Sequence, residues 1–116
     1  MIDIIIEAVK NRNIISFSYN GQRRTVEPHH LGIFGAKNQI HGYQINSGFS
    51  NSGWKNFIVS SIQDISINSS IFTPQSDYNP SGSRYSSICI SVFDPIINDP
   101  NDPNDPNDPN GSSFQR

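Results

Sequence analysis

Ile15-Ser16-Phe17-Ser18-Tyr19 alternates strictly between apolar and polar side chains, Asn20-Gly21 follows, and Gln22 to Glu27 continues in extended character. Asn-Gly between two such runs is the strongest short-range hairpin signal, because the tight turn needs positive φ at both central positions. An antiparallel pair is therefore set early in the chain. Composition agrees with a β fold. Of the apolar residues 18 are Ile, against one Leu and two Ala. Ile favours strands, while Leu and Ala lead the helix scale. With 116 residues, the chain has room for one domain.

Ahead of the hairpin, Ile2, Ile5, Ile6 and Val9 keep the spacing of an amphipathic helix over about residues 3–12. Asp3 and Glu7 suit its N-terminal half and Lys10 and Arg12 its C-terminal half, with Asn11 and Asn13 as stop residues. So short a helix must dock on something. Beyond the hairpin, Pro28 is expected to end the second strand, since it cannot donate to a ladder. Leu31 to Phe34 reads as a third strand, Gln39 to Asn46 as a fourth and Trp54 to Val59 as a fifth, with Phe57, Val59 and Lys55 on one side by parity. Residues 47–53 form a flexible loop. Ile62, Ile65 and Ile67 belong to a further extended stretch, and Ile71-Phe72 closes an edge of the core. Residues 73–84 are turn-rich. Tyr85 to Phe93 makes a last strand with Ile88, Ile90 and Val92 on one face and Cys89 on the other. One helix and about six short strands predict a small, strongly bent sheet or barrel capped by the helix, spanning residues 1–93.

Residues 94–116 differ in kind. Asn-Asp-Pro repeats four times from Asn98 to Pro109. A proline at every third position forbids helix and central strand, so this tail is expected to be disordered. It lacks both the EF-hand loop and the glycine-rich nonapeptide of calcium solenoids, so the repeat is read as having no packed role. The tail carries five Asp and one Arg, whereas residues 1–93 hold seven Lys or Arg against five Asp or Glu. The domain is thus mildly basic, too weakly so to diagnose nucleic-acid binding by itself. No apolar run approaches the length of a membrane helix, roughly 18 residues or more. Met1-Ile2-Asp3 lacks the basic start of a signal peptide, so a cytoplasmic address is the default. The single Cys89 excludes an internal disulfide and a cysteine zinc cluster.

Several blocks resemble the WYL domain family. Ile6-Glu7-Ala8-Val9 followed by Ile14 to Tyr19 is similar to the opening of those domains. Arg24-Thr25-Val26-Glu27-Pro28-His29-His30-Leu31 resembles their R-x-V-x-P-x-x-L segment. Gly42-Tyr43 falls where they carry an Ala-Tyr pair, and Trp54 to Ile62 resembles their R-x-F-x-hydrophobic-x-R-I strand. The likeness covers about residues 4–67. The Trp-Tyr-Leu tripeptide itself is absent, Asn38-Gln39-Ile40 standing in its place, and Ser61 occupies the position of the second arginine. No helix-turn-helix segment stands ahead of the domain, so a small stand-alone relative is expected rather than a complete repressor. The resemblance implies an SH3-like (Sm-like) barrel and a ligand-sensing or nucleic-acid-binding role in bacterial regulation or defence.

The candidate site residues are Arg23, Arg24, His41, Tyr43, Trp54 and Lys55. Adjacent strand residues face opposite sides, so only one of Arg23 and Arg24 joins a given patch. With Val26 in the core, Arg24 lies near the rim, either contacting phosphate or paired to Glu27. Tyr43, Lys55 and His41 sit on strands expected to pair, and an aromatic ring beside cations can hold a base and its phosphate. Tyr43 fits equally well as a core tyrosine. Trp54 is either a stacking platform or an anchor for its Gly/Ser loop. His29 and His30 read as loop histidines with polar partners. A metal site would need His41 and Glu27 as well, at undiagnostic spacing. No cofactor is expected, and no nucleophile–base pair marks an enzyme. The expected function is non-enzymatic binding of a nucleotide or single-stranded nucleic acid. The alternative is an accessory subunit acting on a protein regulator.

Overall fold

The computed structural model describes residues 1–45 and 51–94. Helix α1 (Ile2–Asn11) is followed by strands β1 (Asn13–Tyr19), β2 (Gln22–Phe34), β3 (Lys37–Ile45), β4 (Gly53–Ile58), β5 (Gln63–Ile71) and β6 (Ser87–Ser91). Short 3₁₀ turns occupy Val59–Ser61 and Pro80–Ser83. The strands form one antiparallel sheet in the order β4-β3-β2-β1-β5, with β6 paired to β2 as well. The expected disordered tail lies outside the described residues, apart from Asp94, as does most of the loop placed at 47–53.

The hairpin forms as its turn chemistry requires. Asn20 and Gly21 take φ of 53° and 78°, and the register runs from Tyr19↔Gln22 to Ile15↔Val26. Helix α1 buries Ile5, Ala8 and Val9, the stripe set by its spacing. Its last residue is Asn11, one of the two expected stop residues, and Arg12 caps it in a left-handed conformation (φ 58°). The Arg12 guanidinium then donates to the Val92 carbonyl at 2.6 Å, tying the helix end to the end of β6.

Pro28 does not end the second strand. β2 runs unbroken for 13 residues, joining what read as two separate strands. Along one edge β2 pairs with β1 over residues 22–26 and then with β6 over residues 30–33. Pro28 lies between these stretches, after β2 has left β1 and before it meets β6, so neither ladder loses a donor. A bulge between Pro28 and His30 marks the same place. Bulges bend a strand, and this one lets β2 serve two halves of a curved sheet. The core between those halves holds Phe17, Val26, Leu31, Ile40 and Phe57 with the helix stripe. Ile71 is 71% exposed while Phe72 is buried, so only the second of that pair closes the core. The last strand is shorter than expected. Tyr85 precedes β6, and of its apolar side chains Ile88 is exposed while Val92 beyond its end is buried.

Candidate functional site

The outer side of β2–β3–β4 carries a layer of rings that joins the core through Phe72 and Tyr78. Register places Glu27, Tyr43 and Trp54 in one cross-strand row, and His30, His41 and Asn56 in another. The bulge adds His29 to this side, so consecutive histidines both meet the same layer. Residues 72–86 cross over it from β5 to β6. His29 lies 4.8 Å from the Trp54 ring and 5.0 Å from Tyr78, centroid to centroid. His30 stacks on His41 at 4.8 Å and meets the edge of Tyr85 at 4.3 Å. His41 in turn stacks on Trp54. The chain has three histidines, and all lie in this layer.

Hydrogen bonds fix the protonation of His29, and burial acts on all three rings. The backbone N–H of Gln75 donates to Nε2 of His29 at 3.0 Å, so the ring proton sits on Nδ1, which donates to the Glu27 carbonyl at 2.8 Å. His29 is therefore neutral. Burial drives its pKa down to about 4, against the partial support of the Glu27 carbonyl. Nδ1 of His30 and the Tyr78 hydroxyl share a hydrogen bond, and the buried Nε2 of His30 has no partner. Burial, with His41 and His29 nearby, takes His30 down to about 3. His41 donates from Nδ1 to Asn56 Oδ1 at 2.9 Å, and the Tyr85 hydroxyl donates to the same oxygen at 2.7 Å. Burial also lowers the His41 pKa. Burial raises the phenols of Tyr78 and Tyr85, so they stay protonated. The rings of the layer are neutral near pH 7. His41 serves as a stacking and hydrogen-bonding ring there, not as the cation expected from sequence.

His29 and His30 are fully buried in β2, not in a loop, because the strand continues through Pro28. The sequence signal that could have located them is the pair of rings at His29 and His30 followed by Tyr78 and Tyr85 in a turn-rich stretch. Alternation alone assigned the histidines to no face. Among the described residues no group of three or more His, Cys, Asp or Glu is arranged to hold a metal ion. No helix among them is long and apolar enough to cross a membrane.

The six candidate residues do not form one patch. His41, Tyr43 and Trp54 share the outer side, with the Tyr43 ring edge-on to Trp54 at 5.5 Å. Arg24 and Lys55 belong by register to the opposite side, with Val26 and Phe57. Arg24 is half-buried over the Tyr19 and Phe57 rings and donates to Gln44 Oε1 at 3.0 Å. Its partner is thus Gln44 and not Glu27, whose carboxylate accepts from Gln75 Nε2 at 2.9 Å. Lys55 is exposed on β4, the outer strand of the sheet, next in sequence to half-buried Trp54. The two faces meet at that edge. Arg23, on the hairpin, donates to Ser18 Oγ and the Asp64 carbonyl, apart from the rest.

No protein-family model matches the chain. No curated protein matches it either. Among solved structures it is similar to proteasome accessory factor B/C (PafBC) of Arthrobacter aurescens, with 24% identity and a TM-score of 0.59 over 71% of this chain. The match spans 14% of that larger chain, so the likeness concerns the fold of one part of it.

Proposed function

We propose that this domain is a non-enzymatic, WYL-like ligand-sensing module of a regulatory or defence system, taking a nucleotide or single-stranded nucleic-acid anion at the β4 edge. One observation carries the reading: half-buried Trp54, packed against His41, Tyr43 and Tyr78, lies on one side of an outer strand whose other side presents exposed Lys55. Stacking on the rings with a cation close by is how single-stranded nucleic acid is held without sequence preference. Arg24 adds positive charge on the Lys55 side of the sheet. The four WYL-like sequence blocks and the fold shared with a segment of the accessory factor support a sensing module over a catalytic one.

A second reading is favoured by the exposure of Ile71 at the end of β5, the opposite outer strand. It is an accessory subunit that meets a protein regulator along that edge. Salt separates the two, since counterion release makes phosphate binding fall steeply with salt while an apolar interface responds little. The test is Trp54 fluorescence and oligonucleotide anisotropy with the full chain at about 50 and about 200 mM salt. Single-stranded DNA, single-stranded RNA and free nucleotides are titrated in parallel. Saturable, salt-sensitive binding that weakens in Lys55→Ala supports the anion-binding module. No binding at the lower salt with any of these overturns it.

A further inference from the structure

Residues 73–85 cover the outer ring layer but take no part in the sheet. The backbone–backbone hydrogen bonds within this segment are local turns, Tyr78 to Gln75 and Gly82 to Asn79, and ladder-like contacts resume only where Ser86 N–H donates to the Ile33 carbonyl. Its ties to the sheet run through side chains. Gln75 N–H reaches His29, Gln75 Nε2 reaches Glu27, Trp54 Nε1 donates to Asp77 Oδ2 at 3.2 Å, Tyr78 bonds His30, and Tyr85 bonds Asn56. Both ends are fixed, by Phe72 N–H on the Arg12 carbonyl and by Ser86 on Ile33. The segment is thus anchored at its ends and held in the middle by side-chain contacts alone, with Tyr78 buried among the rings.

We propose that residues 73–85 form a lid over the Trp54–His41 face, latched by the neutral forms of His29 and His30, and that protonating these rings opens it while the sheet stays folded. The chemistry of the latch is specific. Protonated His29 has no lone pair left for the Gln75 N–H, and two donors then face each other. His30 already has one buried nitrogen without a partner. A charge on that ring keeps the Tyr78 oxygen as an acceptor for Nδ1 but is fully buried and stands against the stacked His41. The groups around the latch act in both directions. Arg12 and His41 oppose a charge on His29 and Asp77 favours it, while His29 and His41 oppose one on His30. Asp94 stands near Tyr78, and Glu27 holds the Gln75 side chain. The folded pKa values lie below the ordinary value of 6.5, so the closed lid is favoured above about pH 6.5 and loses ground as pH falls toward about 4. Closing weakens by up to about tenfold per pH unit for each histidine that must shed its proton.

The inference rests on reading the outer face as the binding surface, since the lid then controls access to it. Lid opening is nevertheless measured without ligand, so the two ideas fail separately. The full chain is titrated from about pH 7.5 to about pH 4.5, following Trp54 emission, far-ultraviolet circular dichroism and hydrogen exchange at the Gln75 amide. Expected are a red shift of Trp54 and a falling protection factor at the Gln75 amide, corrected for the intrinsic exchange rate at each pH, while the strand signal is unchanged. His29→Gln, which keeps an acceptor in reach of Gln75 and cannot titrate, should move the Trp54 midpoint to lower pH. Should that variant fold poorly, exchange in the wild-type chain decides the matter. Coincident loss of the Trp54 and strand signals, or a Gln75 amide that stays protected through the titration, overturns the lid.

Discussion

The His41 and Trp54 rings lie 5° from parallel with centroids 4.9 Å apart, although the two residues are not opposite each other in the β3–β4 ladder. They meet diagonally, since His41 faces Asn56 and Trp54 faces Tyr43. Diagonal neighbours on paired strands are within reach of aromatic side chains. His41 also supplies one of the two donors that converge on Asn56. Replacing it with Ala removes a stacked pair and a hydrogen bond together. Each is worth on the order of 1 kcal/mol. His41→Ala is expected to cost about 2 kcal/mol in urea unfolding and to change the near-ultraviolet dichroism of Trp54.

Acidity should act on stability with a definite sign. His29 is held at about 4 and His30 at about 3, and His41 is lowered as well, all chiefly by burial. The unfolded chain takes up protons near pH 6.5, as unperturbed histidines do, and the closed fold refuses them. Their contribution is fully present above about pH 6.5. It is lost below that value, by up to about 1.4 kcal/mol per pH unit and histidine. Urea midpoints from about pH 8 down to pH 5 should be flat at first and then fall. With an opening lid the decline levels off, because the folded chain then binds the same protons. A midpoint that rises on acidification contradicts the assignment of neutral rings.

Gly42 sits at a point of close approach. A Cβ built on it would lie 2.5 Å from Val26 Cγ1 and 3.0 Å from the Glu27 carbonyl. Val26 is fully buried and β-branched, so it cannot swing away. Gly42→Ala is expected to destabilise by about 1–3 kcal/mol through overpacking beside the β2 bulge. Gly21→Ala serves as the contrast. Nothing stands within 4 Å of its would-be Cβ, so its cost comes from the positive φ of 78° alone. Thermal unfolding of both variants measures the difference.

Local chemistry made the hairpin and the helix legible in the sequence. Asn20-Gly21 permits a turn that few other pairs do, and Ile5 and Val9 follow a period that only a helix satisfies. The pairing of β3 with β4 followed from the order of strands, but grouping His41 and Tyr43 with Lys55 did not survive the register, which puts Trp54 on their side and Lys55 on the other. Pro28 misled because a local rule was applied where topology decides. A proline is excluded from a strand only where its missing N–H is needed, and nothing in the sequence shows that β2 changes partners there. The bulge in turn shifted the alternation by one residue, which put His29 and His30 beyond the reach of parity. The covering segment was illegible for a related reason. Its contacts to His29, His30 and Asn56 span from about 29 to 48 residues of sequence and follow no periodic pattern.

Arg24 offers a test of what a partly buried charge contributes. Its Nε is buried without a partner, its hydrogen bond runs to the neutral amide of Gln44, and its guanidinium lies 5.6 Å from the Tyr19 ring centroid and 5.8 Å from that of Phe57. Gln44 is itself fully buried and donates from Nε2 to the Asn51 carbonyl at 3.0 Å, so Arg24 helps orient the chain on the far side of the β3–β4 connection. Desolvation of the charge and its contacts with the rings oppose one another and roughly balance. Arg24→Met keeps most of the packing volume and removes the charge, and it is expected to stay within about 1 kcal/mol of the parent. Arg24→Ala loses the packing too and should cost about 2 kcal/mol. If Arg24 also meets the anion, both variants weaken binding alike, whereas their urea midpoints differ. Affinities that fall only in Arg24→Ala, in step with its lower midpoint, would instead make Arg24 a packing residue whose effect on binding passes through Tyr19 and Phe57.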